Sequence, residues 1–442
     1  MDSDINRREF IKAVGLGAAV LTAPGCASHS ESLAPRARRD KPNVVLIMAD
    51  DLGYECLGCY GSTSYRTPFL DQLAGAGIRF EHCYSQPLCT PSRVKIMTGQ
   101  YNFRNYTEFG VLDPDQKTFG HLLQSAGYAT CVVGKWQLYG SVNQRPEVRG
   151  AGAYPGQAGF DEFCLWQIEQ RGSRYKNPVI VQNGKRREDL EGRYGPDIFC
   201  DYILKFMERH KTKPFLVYYP MALVHSPFVP TPDSEDWTKD PHKSNKKYFA
   251  DMVAYMDKIV GRIVAQLDAL RLRQNTLILF TGDNGTSKGI SSKMADRIIW
   301  GGKGDTTDAG THVPLVANWK GTIPAGRVCS DLVDFSDFVP TLAEVAGAEI
   351  PKDMIIDGRS FLPQLHGEPG SPRDWIFCHY EPKWGRWKRQ RFARERRWKL
   401  YESGELFDVQ ADALEENPLE LGQGDREAAA RKRLQAVLDS MK

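Results

Sequence analysis

Short, continuously apolar runs alternate along this chain with longer stretches whose apolar residues recur at helical spacing. The run Asn43–Ala49 has no polar interruption after Asn43, which predicts a strand buried on both faces. Tyr128 to Val133, Pro214 to Tyr219, Asn275 to Thr281 and Val313 to Asn318 read the same way. Thr67 followed by Pro68 marks a helix start, a capping residue ahead of a first-turn proline. Thr118 to Ala126 reads as a helix. Lys247 to Leu270 is a long amphipathic helix, with Phe249, Met252, Val253, Met256, Ile259, Val260, Ile263, Val264, Leu267 and Leu270 on one face. Strands alternating with helices predict an α/β chain built on a largely parallel sheet. Further on, Tyr380 to Gln410 reads as a hairpin and Arg426 to Met441 as a closing helix capped by Asp425. No internal repeat is visible.

The N-terminus has a different pattern. Arg7 and Arg8 precede Phe10 and Lys12, and a weakly apolar run rich in Gly and Ala follows from Ala13 to Ala23. That run is too short to span a bilayer. The order predicts a cleaved twin-arginine export signal over 1–26. Cys26 is the expected lipidation site if the chain is a lipoprotein, with simple cleavage near Ala27 as the alternative. Residues 27–40 read as a linker. The expected location is the bacterial periplasm or the cell envelope, with the membrane reached only through a lipid at Cys26.

Composition narrows the picture further. The 442 residues are 41% hydrophobic, enough for a large core, and the formal net charge of +3 is too small to suggest a nucleic-acid partner. Ten cysteines are present. Cys56-Leu57-Gly58-Cys59 has the spacing of half a zinc site, but no second pair follows, so both cysteines read as structural. Twin-arginine cargo folds in the reducing cytoplasm, which argues against dense disulfide bridging.

The polar residues that stand out lie just past the ends of the apolar strands. Asp50 and Asp51 follow the first, Lys135 follows Val133, His225 lies beyond Tyr219, and Asp283 and Asn284 follow Phe280. In open α/β sheets the site lies outside the carboxyl ends of the strands, so scattered residues of this kind meet in one crevice. Oxygen ligands from Asp50, Asp51, Asp283 and Asn284, without Cys or His, select Ca²⁺ or Mg²⁺ over zinc.

With these go Cys89-Thr90-Pro91-Ser92-Arg93, Gly134-Lys135-Trp136 and Gly301-Gly302-Lys303-Gly304. Together the motifs resemble the type I, formylglycine-dependent sulfatases, in that family's order, from about residue 42 to about residue 420. The resemblance implies an alkaline-phosphatase-like core over 41–370, a large and mostly parallel sheet flanked by helices. A small C-terminal α+β subdomain follows over 371–442. It implies that a formylglycine-generating enzyme oxidises Cys89 to an aldehyde whose hydrate attacks sulfur, and that Asp50, Asp51, Asp283 and Asn284 hold Ca²⁺, with Mg²⁺ the second choice, beside the modified Cys89. Arg93 is expected to reach back to the hydrate and the metal-bound carboxylates, Lys135 and Lys303 to bind sulfate, and His225 to contact the bridging oxygen, as a candidate general acid. The expected substrate is a sulfate ester, in particular a sulfated carbohydrate. The glycines at 134, 301 and 302 suggest close approach of backbone to ligand.

Two details qualify the resemblance. Two-metal relatives place His where this chain has Asn284, which argues against a phosphodiesterase or phosphonate monoester hydrolase. The family turn Gly-Lys-Trp-His here ends in Gln137, which hydrogen-bonds but cannot take a proton at neutral pH. Gln137 therefore contacts substrate without serving as a base. His225 or metal-linked water is the replacement base to consider, His312 is a further candidate that reads first as a structural histidine, and a catalytically impaired sulfated-glycan binder is the competing reading. Lys383 to Lys399 carries nine Lys or Arg and four aromatics, Trp384, Trp387, Phe392 and Trp398, which is either a solvated face or a polyanion-binding strip.

Overall fold

A computed structural model describes residues 41–420 and 424–441. The expected export signal over 1–26, the lipidation site at Cys26 and the linker over 27–40 lie outside the described residues. No described helix is long and apolar enough to cross a membrane.

A ten-stranded sheet forms the centre of the molecule. In chain order its strands are β1 (Asn43–Ala49), β2 (Ile78–Tyr84), β3 (Ala129–Lys135), β4 (Glu162–Trp166), β5 (Ile180–Gln182), β6 (Lys185–Arg186), β7 (Phe215–Pro220) and β8 (Thr276–Gly282). A separate hairpin of β9 (Ser291–Lys293) and β10 (Ile298–Trp300) intervenes before β11 (His312–Asn318) and β12 (Arg327–Asp334). The spatial order is β12-β2-β11-β8-β1-β7-β3-β4-β5-β6. The five strands from β8 to β4 are mutually parallel. The sheet is mixed outside that block: β11 runs antiparallel to both β2 and β8, and β5 and β6 are antiparallel as well.

β1 is buried throughout, as its apolar run requires. Val45, Ile47 and Ala49 join the core on one face, packed with residues of helices Gly195–Arg209 and Tyr248–Ala269. Val44, Leu46 and Met48 join the core on the other face, with helices Phe119–Ser125 and Phe338–Ala346. A strand covered by helices on both faces needs apolar residues at every position. The long helix runs Tyr248–Ala269, with Lys247 and Leu270 as its flanking caps, and its predicted apolar stripe is the buried face. Thr67 precedes Pro68 at the start of the Pro68–Gly75 helix, but its side chain does not cap. Asp257 of the long helix does so instead, accepting from the Phe69 and Leu70 amides at 3.0 and 2.8 Å.

The C-terminal region holds more than a hairpin. β13 (Ile376–Tyr380), β14 (Gln390–Arg394), β15 (Trp398–Tyr401) and β16 (Leu406–Asp408) form a four-stranded antiparallel sheet. Helix Asp425–Ser440 buries Ala430, Leu434, Val437 and Leu438 against it. Asp425 is the first helical residue rather than the cap, which is Gly424. Its carboxylate still favours the positive end of the helix dipole.

Lys95 joins the two sheets. Its Nζ donates to Asp334 Oδ2 at 2.7 Å and to the Phe377 carbonyl at 3.3 Å, and both charged partners are buried. Removing one partner of such a pair leaves an uncompensated charge in the interior. Lys95→Met is therefore expected to cost about 3–5 kcal/mol in denaturant unfolding. A cost below about 1 kcal/mol would mean that solvent reaches Asp334.

Candidate active site

The carboxyl ends of β1, β8, β7 and β3 lie along one edge of the sheet, because those strands are parallel and nearly in register. Ala49 pairs with Gly282, so Asp50-Asp51 and Asp283-Asn284 leave adjacent strands side by side. Asp51 sits at φ 61°, in the left-handed region that Asp tolerates better than most residues. The Asp50 amide donates to the Leu223 carbonyl at 2.8 Å, which draws the loop carrying His225 beside the acids. Cys89 is the first residue of helix Cys89–Thr98, and Arg93 lies one turn along it.

The site is a dense, buried ion network. Lys135 Nζ donates to both oxygens of Asp50, at 2.9 and 2.8 Å. Lys303 Nζ donates to Asp51 Oδ2 at 2.7 Å. Arg93 donates from Nη2 to Asp283 Oδ2 at 2.9 Å and from Nη1 to the Lys135 carbonyl at 3.0 Å. Asp283 Oδ1 accepts from the Asp51 amide at 3.0 Å. Burial pushes the Asp50 carboxyl up, yet Lys135 and its other cationic neighbours hold it well below the usual carboxylate range. Burial, then the Asp50 charge beside it, raises Asp283 to about 7. Burial lowers His225 to about 3. His225 Nδ1 lies 2.7 Å from the Ser226 carbonyl, which fixes the ring by a donated hydrogen bond and leaves Nε2 3.7 Å from Asp51 Oδ2.

The residues fit a hard cation. Asn284 donates from Nδ2 to Asp51 Oδ1 and to the Gly285 carbonyl, both at 2.9 Å, and its Oδ1 is buried with no partner. A buried, unused amide oxygen beside carboxylates is a ready ligand for a hard ion. Ligand atoms of Asp50, Asp51 and His225 lie within 4.8 Å of one another. Both carboxylate oxygens of Asp283 already accept hydrogen bonds, but each retains a further lone pair.

Cys89, Lys135, Gln137, His225 and Lys303 line one cavity of about 250 Å³. Gln137 stands at φ 58°, and its Oε1 is buried without a partner. His312 does not join them. Its Nε2 lies 2.7 Å from the Glu81 carbonyl, and its ring stacks between Tyr54 and Tyr84, as suits a structural histidine. Lys135 ends β3 instead of following it. The motif glycines also have a different purpose from the one expected. A Cβ on Gly134 would meet the Pro220 carbonyl, and one on Gly301 the Ser287 carbonyl, so these glycines admit neighbouring backbone rather than ligand.

Most of the basic segment is structural. Lys399 is buried and donates to Glu415 Oε1 at 2.7 Å and to the Thr306 carbonyl. Arg394 pairs with Asp308, Arg391 with Glu402 and Arg397 with Asp408. Phe392 and Trp398 pack in the small sheet's core. Only Trp384 and Trp387 of the four aromatics line the cavity, Trp384 stacked on Phe109 with ring centroids 4.9 Å apart. Strand pairing explains the division, since alternate residues of β14 and β15 must face the interior.

Comparison with known proteins covers residues 42–441. The family model described as Sulfatase matches residues 42–348. A human protein named arylsulfatase D is 30% identical over 429 residues, covering 77% of this chain and 71% of the relative. The chain belongs to the sulfatase family. The family catalyses hydrolysis of sulfate esters, and this sulfatase is an enzyme of that type with an alkaline-phosphatase-like fold. A second family model, N-sulphoglucosamine sulphohydrolase, C-terminal, matches residues 302–441. The N-acetylgalactosamine-6-sulfatase of Canis lupus familiaris is 30% identical, covering 81% of this chain and 69% of its own. The solved structure of Ps i-CgsB in complex with k-i-k-neocarrahexaose aligns with a TM-score of 0.73 at 26% identity, covering 90% of this chain and 92% of the other.

The sequence motifs missed Arg174. It lines the same cavity and lies 3.7 Å from Asp50 Oδ2. It belongs to no motif, and only the folded loop after β4 brings it there.

Proposed function

We propose that this sulfatase is exported, carries formylglycine at position 89, binds one Ca²⁺ through Asp50, Asp51, Asp283 and Asn284, and removes sulfate from a carbohydrate. The observation that carries the reading is the single cavity in which Cys89, Lys135, His225 and Lys303 face one another beside four buried oxygen ligands. A formylglycine hydrate at position 89 would supply the nucleophilic oxygen, and a cation held by Asp50, Asp51, Asp283 and Asn284 would add positive charge beside the sulfate. The protein's own groups do the rest. Lys135 and Lys303 hold fixed positive charge where the sulfate oxygens gain negative charge, at the floor of a largely buried cavity. Arg93 is too committed to Asp283 and the Lys135 carbonyl to move, so it fixes the geometry of the acids around position 89. His225, oriented through Nδ1, presents Nε2 to the reacting groups.

Sugar as the substrate is supported by Trp384 and Trp387, whose flat apolar faces at the cavity suit a pyranose ring. Two relatives point the same way, one named for N-acetylgalactosamine and one solved with a neocarrahexaose. Export is supported by Arg7-Arg8 and the short apolar run after them.

The test is sulfate release from an activated aryl sulfate and from defined sulfated mono- and oligosaccharides, using protein matured with a formylglycine-generating enzyme. Release from a saccharide supports the reading. No release from any substrate, with the aldehyde verified by mass spectrometry, would favour a non-catalytic glycan binder.

Gln137 adds a kinetic expectation. It lines the cavity where the family has a base, and it cannot accept a proton. The aryl sulfate should give a burst of phenol followed by slow turnover. Gln137→His should speed the slow phase by as much as about 10²–10⁴-fold, the usual worth of a positioned base. Histidine is among the residues that accept the left-handed backbone found here. A linear time course in both proteins would assign the base to another group, with His225 next.

A further inference from the structure

Arg174 is a buried guanidinium that makes no hydrogen bond to any described residue. Its side chain is 5% exposed, and Nη1 is sealed from solvent without an acceptor. The guanidinium lies over the Trp166 indole, 4.0 Å from the ring centroid. Trp166 ends β4 directly opposite Lys135 at the end of β3, so adjacent strands deliver two cations to one place. The nearest carboxylate oxygen, Asp50 Oδ2, is 3.7 Å from Nη1, beyond hydrogen-bond distance, and both oxygens of Asp50 already accept from Lys135 Nζ.

Buried arginines in folded proteins normally satisfy their five donors, because an unpaired buried charge is costly. Arg93, equally buried in the same site, donates from both terminal nitrogens, to the Lys135 carbonyl and to Asp283, and leaves only Nε without a partner. Arg174 lacks such an acceptor and lines the cavity with Cys89, Lys135 and Lys303. What it lacks is an anion, and a planar guanidinium held by stacking suits a tetrahedral oxyanion with several acceptor oxygens.

We propose that Arg174 binds an oxygen of the sulfate group held in this cavity, as an anion-binding residue outside the sequence motifs. The proposal rests on the sulfatase reading for its catalytic part, while its binding part stands on the geometry alone. A bound sulfate would complete the hydrogen bonding of Arg174 and share the charge among Arg174, Lys135 and Lys303.

The test uses wild type, Arg174→Gln and Arg174→Lys, with equal aldehyde content at position 89. Three quantities are measured: the Kd for inorganic sulfate by calorimetry, kcat/KM on an activated aryl sulfate, and the thermal midpoint. Arg174→Gln should weaken inorganic sulfate by at least about 10-fold. It should lower kcat/KM by about 10²–10³-fold, as expected for loss of one preorganised donor to the developing charge. Arg174→Lys should restore part of both. The thermal midpoint of Arg174→Gln should equal or exceed that of wild type, since a buried charge without a hydrogen-bond acceptor has been removed, while Asp50 keeps both its bonds to Lys135. An unchanged sulfate Kd in Arg174→Gln would overturn the proposal. So would a lowered midpoint with normal sulfate affinity, which would make Arg174 a prop for Trp166 and Asp50. A matured wild type that hydrolyses no sulfate ester, yet binds inorganic sulfate in an Arg174-dependent way, would leave this site standing and remove the catalytic reading.

Discussion

Cys89→Ala should abolish sulfate release, with a loss of at least about 10⁴-fold, while leaving the fold intact. Cys89 is 2% exposed and packs with Leu88, Phe109 and Tyr380, so alanine there removes a small apolar group and little else. The thermal midpoint should move by only a few degrees. The loss should follow the chemistry instead. Peptide mass spectrometry of matured wild type should show the thiol at position 89 replaced by an aldehyde or its hydrate. Wild type made without the maturation enzyme should be nearly as inactive as Cys89→Ala. Full activity with an intact thiol, or in the alanine variant, would assign the nucleophile elsewhere in the cavity.

Asp283→Ala is expected to lower kcat by about 10²–10⁴-fold, the scale set by several kcal/mol of charge stabilisation from a bound metal. Asp283 touches both Arg93 and the Asp51 amide, so a loss of activity alone would not separate metal binding from support of the network. Calcium titration separates them. A ligand that binds only the folded state stabilises it by about 2.7 kcal/mol at a hundredfold excess over Kd. Wild type stripped by a chelator should gain thermal stability and activity on adding Ca²⁺. Asp283→Ala should gain neither at concentrations that saturate wild type. A normal calcium response in the variant would remove Asp283 from the ligand set and leave Asp50, Asp51 and His225, whose donor atoms already converge. Stoichiometric zinc in place of calcium would contradict the choice of ion.

What was legible in the sequence was whatever depends on local pattern. The β1 run, the β8 run and the stripe of helix Tyr248–Ala269 were plain, because burial on two faces or one imposes an apolar period. The placement of Asp50 and Asp283 followed, since both leave parallel strands at the same edge. The direction of β11 was not legible. Its residues are apolar whichever way it runs, and only its pairing with β2 and β8 decides. β2 was missed because its alternation is broken: Arg79, Glu81 and His82 are only partly buried among buried neighbours. Arg174 gave no signal, because its importance lies in a missing hydrogen bond, which no spacing encodes. His312 reads from the sequence first as a structural histidine and only then as a substitute base, and the fold makes it structural. Its sequence neighbourhood names no partner, and in the fold three aromatic rings and a carbonyl hold it. The basic segment was not legible, since a charge count cannot tell Lys399, buried against Glu415, from an exposed cation such as Arg386.

The contact between Trp387 and Gly304 has a consequence for engineering. Gly304 has φ 88°, and any Cβ there would collide with the Trp387 indole, so the residue after Lys303 and the tip of the small sheet's first loop are fitted to each other. Lys399 also grips the Thr306 carbonyl from β15. A chimera that exchanged the C-terminal segment for a relative's would therefore disturb the backbone that carries Lys303. Grafts meant to change sugar preference need to carry both segments together, with the crossover upstream of Gly301 instead of between the sheets.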